Sequence, residues 1–289
     1  MKFAGVGLVM LAAVFWGISG GIGDILMEKG WDPIVISFYR GAVGLICFAL
    51  WFLLQFRKNL NISKQVFFWS LLAGVGVAGN FSFYYLSIEA SSVPVAATLM
   101  YTAPVFVLLT SFALRMERST WFKWGCIASV LMGIVLLTGA YNPEDVSVSL
   151  IGTIFGLTAG LSYAAFIFGF KNASASGRPQ AVLTMAFLAF CIVLLFFADR
   201  NQAASVVTSS DVGWFILLGL VGAGLSFIFY VIGIRWTAPS TASMVAMVEP
   251  VTASLFGVLL LGDYLDLIQL LGMALILFTV TFLSVKQAG

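Results

Sequence analysis

The sequence contains no histidine. That removes the side chain most often used as a general base near neutral pH, and the commonest metal ligand. Cysteine is scarce as well. Cys47, Cys126 and Cys191 each lie inside an apolar run, and no spacing among them forms a metal or redox motif. They read as small hydrophobes in packing. Charge is the third scarcity: Asp, Glu, Lys and Arg make up 9% of the chain, against about 25% in ordinary soluble proteins. The net charge is +2 and no basic stripe occurs, so nothing is available to neutralise a run of phosphates, which excludes nucleic acid as a partner. The absence of a Gly-Lys-Ser/Thr phosphate loop argues against direct ATP drive within the chain. No nucleophile–base pair or cluster of metal ligands is visible, so the sequence predicts neither an enzyme nor a bound cofactor or metal.

What is abundant is apolar length: 61% of the 289 residues are hydrophobic. A membrane-spanning helix needs about 20 mainly apolar residues. Ten segments meet this: 4–26, 34–56, 66–88, 92–114, 121–140, 149–170, 180–198, 212–234, 241–261 and 267–285. The runs are continuous rather than alternating, which favours helices over barrel strands. The first run continues past Met1-Lys2 to about Leu26 with no clear cleavage site, so it reads as a retained span rather than a signal peptide. The fold class is therefore an all-α integral membrane protein with the lipid bilayer as its main partner.

Basic residues set the orientation. One face holds Lys2, Arg57, Lys58, Lys64, Arg115, Arg118, Lys123, Lys171, Arg178, Arg235 and Lys286, and the other only Lys29 and Arg200. Eleven against two predicts both termini on the cytoplasmic side of the cell's inner (plasma) membrane.

The chain also repeats itself. Gly74, Gly79, Tyr85 and Pro94 are matched 145 residues later by Gly219, Gly224, Tyr230 and Pro239. Pro104-Val105 recurs 146 residues later as Pro250-Val251, and Ala12 and Trp16 correspond, 147 later, to Ala159 and Tyr163. This divides the chain into two five-helix halves, 1–145 and 146–289. An odd number of helices per half makes the repeat inverted, an arrangement common in secondary transporters.

The stretch Glu249-Pro250-Val251, then Leu261-Gly262-Asp263, then Gln269 and Gly272, resembles the closing signature of the EamA-type transporters of the drug/metabolite transporter superfamily. Pro94, Tyr101 and Pro104-Val105 are similar to the same signature in the first half, and Phe15-Trp16-Gly17 resembles the family's first-helix motif. The resemblance covers essentially the whole chain, and it implies ten helices, inverted repeats and export or exchange of small organic metabolites. Asp263 departs from the usual glutamate but keeps the charge.

Glu249 lies about 12 Å into the ninth segment, near the middle of a hydrocarbon core about 30 Å thick. A carboxylate there costs about 2.5–3.5 kcal/mol on insertion scales. It reads as a substrate-amine contact, as a proton-coupling site, or as a protonated acid bonded to a neighbouring helix. Pro250 and Pro104 each remove a backbone donor and are predicted to free the carbonyls of Ala246 and Met100, kinking or hinging the helix. Asp24 and Arg40 lie at similar depth in adjoining helices, and read as a structural ion pair or as a gate at the outer mouth.

Trp16, Asn80, Tyr84, Tyr101, Tyr163, Tyr230 and Glu249 are the candidate lining of a central cavity; packing is the alternative for any single aromatic. The expected function is secondary transport of a small-molecule solute such as an amino acid, by alternating access and with proton coupling as an option. A homodimer is an optional assembly of the chain. The competing readings are an organic-cation transporter and a non-transporting membrane subunit.

Overall fold

The computed structural model of the protein describes residues 2–59, 62–144 and 148–288. The predicted boundary between the halves at 145/146, including Asp145, lies outside the described residues, as do the side chains of Lys2 and Lys58. No strand occurs among the described residues.

The helices are α1 (Lys2–Glu28), α2 (Pro33–Leu54), α3 (Phe56–Asn59), α4 (Lys64–Ala90), α5 (Val93–Met100), α6 (Ala103–Ala113), α7 (Trp121–Thr138), α8 (Leu150–Ser176), α9 (Pro179–Leu195) and α10 (Arg200–Val206). They continue with α11 (Val212–Gly219), α12 (Ser226–Ile234), α13 (Pro239–Val245), α14 (Val248–Phe256) and α15 (Leu267–Ala288). Wider π-helical turns follow α11 at Leu220–Leu225 and α14 at Gly257–Leu261. Several starts are written in the sequence. Asp32 accepts from the N–H groups of Ile34 and Val35 at 2.8 and 3.1 Å ahead of Pro33, and Ser149 accepts from Gly152 N–H at 2.9 Å. Each oxygen satisfies donors that a helix start leaves unpaired.

Nine helical stretches among the described residues are long and apolar enough to cross a membrane. The seventh predicted segment, 180–198, is an apolar helix of 17 residues that stops at Leu195. At 1.5 Å per residue it is about 26 Å long, a little short of the hydrocarbon core.

Two predicted helices are broken at their midpoints. The segment 92–114 divides into α5 and α6 around Tyr101 and Thr102, and 241–261 into α13 and α14 around Ala246 and Met247. Both breaks come just before the midspan prolines, whose rings crowd the preceding turn. The two freed carbonyls fare differently. That of Ala246 is taken up by Glu249 N–H at 2.9 Å, so the expectation that it is free is corrected. No hydrogen bond reaches the Met100 carbonyl from the described residues, and it faces Gly160 of α8, where an added Cβ would sit 3.0 Å from it.

The core is dense in rings. Trp16 packs against Phe227 and Tyr230 at 5.1 and 5.0 Å between centroids, and Phe166 and Phe170 extend the cluster. Small residues let the backbones close up around it. A Cβ on Gly76 of α4 would lie 2.7 Å from Phe166 N, and one on Gly169 of α8 would lie 2.6 Å from Ala73 N.

Candidate substrate cavity

α1, α2, α4, α5, α8 and α14, with Leu218 of α11 and Phe227 of α12, enclose a cavity of about 350 Å³. This falls within the usual size range of small-ligand pockets. Its inner end is lined by Trp16, Tyr101, Tyr163, Phe166 and Glu249. Its wall continues past Arg40, Asn80, Phe81, Tyr84 and Tyr85 to Asp24, Met27, Pro33 and Val93. Asp24, Met27 and Val93 are exposed at helix ends, so the mouth lies on the face that carries the 29–32 and 91–92 connections.

Glu249 is on the wall because the helix is broken there. It falls in the first turn of α14, where the unpaired N–H groups of a helix start favour a negative charge. No described donor bonds its carboxylate. Gly17 of α1 lets the backbones meet at this point: an added Cβ there would be 2.5 Å from the Glu249 carbonyl oxygen.

Arg40 is placed by the π-helical turn. Its Nε–H donates to the Gly222 carbonyl at 3.0 Å, within a segment whose wider winding disrupts the regular hydrogen-bond ladder. The guanidinium also lies over the Phe81 ring, 4.8 Å from the centroid. Its terminal nitrogens have no acceptor among the described residues. Arg40 does not pair with Asp24. The two ion pairs among the described residues are Lys29–Asp211 and Lys123–Glu117, so the expected Asp24–Arg40 bridge is absent, although both groups line the same cavity.

Asn80 finds the partner a midspan amide requires, donating to the Ala159 carbonyl at 3.1 Å. Trp16 Nε1 and Tyr163 OH are buried donors with no partner among the described residues, and both residues line the cavity. Tyr230 was expected on the wall but is not there. It is fully buried in the ring cluster behind Trp16, because its ring packs against Trp16 of α1 and Phe166 and Phe170 of α8. Sequence reasoning missed Phe81, Tyr85 and the role of Gly222. The match of Tyr85 to Tyr230 across the repeat was the one available signal for Tyr85.

The end of the cavity opposite the mouth, its floor, is closed. All seven residues of α13 are buried. α1 and α12 meet there with almost no side chain between them: a Cβ on Gly233 would lie 2.7 Å from the Gly5 carbonyl oxygen. Lys171 Nζ donates to the carbonyls of Ile234, Arg235 and Thr237 at 2.9, 3.1 and 2.8 Å. Glu117 accepts from Ser240 N–H at 3.0 Å and from Ser240 Oγ–H at 2.5 Å, and pairs with Lys123.

Burial works to raise the Glu117 carboxyl, but the hydrogen bonds from Lys123 and Ser240 outweigh it and hold the group below its ordinary 4.5. A carboxylate depressed in the folded state contributes stability that is present above its unfolded value and is lost as pH falls through the folded one. The difference in thermal midpoint between wild type and Glu117→Gln is therefore expected to be constant from about pH 8 to about pH 6 and to shrink once the pH drops below about 4.5. Unfolding followed by intrinsic fluorescence in detergent measures it; a difference that grows with acid contradicts the assignment.

The helices and the solute-sized cavity define a multi-pass membrane protein. A sequence model of the EamA-like transporter family matches the chain twice, over residues 3–139 and 150–285. The chain belongs to the EamA-like transporter family, within the drug/metabolite transporter superfamily, and is not an enzyme. Among its relatives, the uncharacterized transporter YwfM of Bacillus subtilis is 23% identical over 279 residues, covering 96% of this chain and 92% of that protein. The threonine/homoserine exporter RhtA of Escherichia coli is 27% identical over 278 residues, covering 93% and 88%. A solved crystal structure superposes with a TM-score of 0.77 over 98% of both chains at 16% identity, a likeness of fold.

Proposed function

We propose that the protein is a secondary transporter that exports a small zwitterionic metabolite, such as an amino acid, by alternating access. The observation that carries this reading is the pair of opposite charges on the cavity wall. Glu249 and Arg40 both line it. Neither is in an ion pair among the described residues. An ammonium and a carboxylate on one small solute complement these two charges, and Trp16 Nε1 and Tyr163 OH supply unused donors. Uncompensated charge inside a membrane protein is costly, and commonly marks a transport pathway. The name of the RhtA relative points to the same solute class and direction.

On this reading ten helices form two halves, 1–145 and 146–289, related by an inverted repeat. The two separate matches to the family sequence model support the division. Both termini face the cytoplasm, in keeping with the eleven-to-two bias of basic residues. The cavity mouth then faces outward, and Glu249 is the group that couples solute movement to protons.

An organic-cation transporter is the alternative that the aromatic wall favours, and Arg40 distinguishes the two. Arg40→Gln is expected to lower amino acid uptake into proteoliposomes roughly a hundredfold, the range for removing one partner of a desolvated charge pair. If the solute is a simple cation, the same variant removes a repulsive charge, and uptake of a choline-like probe rises. That rise, with amino acid flux unaffected, overturns the zwitterion reading.

A further inference from the structure

The mouth and the floor are built from residues that correspond across the repeat, and we infer that Glu117 and Asp263 are reciprocal latches. Glu117 holds the floor shut in the state described here. Asp263 takes the matching position, on the first turn of α5, when the mouth shuts instead.

The correspondence is read from residue positions. Glu117 and Asp263 are 146 residues apart, as Pro104 and Pro250 are. Val95 and Ser240 are 145 apart, as Pro94 and Pro239 are. At the floor the relation is made: Glu117 accepts from both the N–H and the Oγ–H of Ser240, and its side chain is only 8% exposed. At the mouth it is not made. Asp263 is exposed, and its carboxylate is bonded to no described group. Its own N–H donates to the Gly257 carbonyl at 3.1 Å, and the carboxylate lies against Gly257, where a Cβ would collide with it. Val95 N–H in the first turn of α5 has no acceptor among the described residues, one of the donors that a helix start leaves unpaired. An unbonded acceptor and an unbonded donor therefore stand at the mouth where a bonded pair stands at the floor.

Each latch joins one half to the other. Glu117 of the first half holds α13 of the second, and Asp263 of the second would hold α5 of the first. Movement of the halves that makes one contact breaks the other, as alternating exposure requires. The two are of unequal strength. Val95 has no hydroxyl, so Asp263 gains one hydrogen bond where Glu117 gains two. Lys171, which pins the 234–237 turn beside the floor latch, corresponds 147 residues earlier to Asp24. An ionised carboxylate cannot cap carbonyls as an ammonium does. The floor latch, with two hydrogen bonds between the halves, is the stronger, which accounts for the mouth being the open end.

This inference rests on the alternating-access reading and on the repeat. Its test uses the full chain with the three native cysteines replaced and one cysteine placed on the cavity wall by Ala253→Cys. A membrane-impermeant methanethiosulfonate reagent is applied to sealed vesicles of each orientation. Glu117→Gln is expected to raise the labelling rate from the floor side roughly tenfold, the range for a lost charge-assisted hydrogen bond. Glu117→Asp, which keeps the carboxylate, is expected to restore much of the wild-type rate. Asp263→Asn is expected to lower floor-side labelling, because the mouth-closed state loses its fastening. Measurable floor-side labelling that Glu117→Gln leaves unchanged overturns the latch while alternating access stands. An Asp263→Asn rate that is unchanged or raised overturns the reciprocity. If neither wild type nor any variant is labelled from the floor side, alternating access itself fails.

Discussion

Replacing Glu249 with glutamine is expected to reduce coupled solute flux in proteoliposomes on the order of a hundredfold, to remove its dependence on the proton gradient, and to leave the folded protein intact. Glutamine keeps the size and the hydrogen-bonding capacity of the side chain, so the change isolates the charge. The carboxylate is not part of the protein's own bonding: no described donor bonds it, and neither ion pair includes it. Its loss therefore strands no protein group. What holds the surrounding backbone is unaffected, since the bond from Glu249 N–H to the Ala246 carbonyl does not involve the side chain. A residue that served only to tie α14 to its neighbours would show the opposite pattern, with a lower thermal midpoint and flux scaling with the folded fraction. Flux measured with and without an imposed pH gradient, alongside thermal unfolding, separates the two. Wild-type flux with wild-type pH dependence removes Glu249 from the coupling role.

The largest structural effect is expected at Gly74, where alanine should destabilise the protein by about 3 kcal/mol and sharply lower the yield of monodisperse protein. A Cβ on Gly74 would lie 2.7 Å from the carbonyl carbon of Ala186 and 3.0 Å from its Cα, with the carbonyl oxygen closer still. The obstacle is the backbone of α9, so no rotamer change relieves it. α4 would have to move away from α9 while Gly76 and Gly169 hold it against α8. Gly125→Ala is the control. It lies on the exposed side of α7 with nothing within 4 Å of an added Cβ. There alanine should be neutral or should stabilise the helix by up to about 1 kcal/mol. Equal midpoints for the two variants would show that the α4–α9 contact is looser than its geometry.

Much of the site could be read in one dimension. Glu249 and the midspan prolines stand out against an apolar background because charge and missing donors are costly in hydrocarbon, whatever the neighbours. Asn80, Trp16 and Tyr163 follow from helical spacing, which places residues on a face without saying what that face meets. Tyr230 shows the limit. It has the same residue type and spacing logic as Tyr163, yet it points into packed rings, because the rotation of α12 is set by the contacts of Gly233 and Phe227 with other helices. Arg40 shows another limit. Depth along the chain put it level with Asp24, but its partner is a carbonyl 182 residues away, offered by a π-helical turn that no local pattern announced.

The sequence by itself determined the solvent of this protein, the approximate extent of its helices and the few residues too polar to be idle, because hydrophobic burial and backbone satisfaction in a bilayer act on each segment separately. Only the tertiary structure decided which carbonyls remain free, which charges are left unpaired on the cavity wall, and which end is shut. Those depend on how distant segments meet, at Gly5 and Gly233, at Gly222 and Arg40, and at Glu117 and Ser240. Such contacts arise from packing between helices, which no single helix encodes.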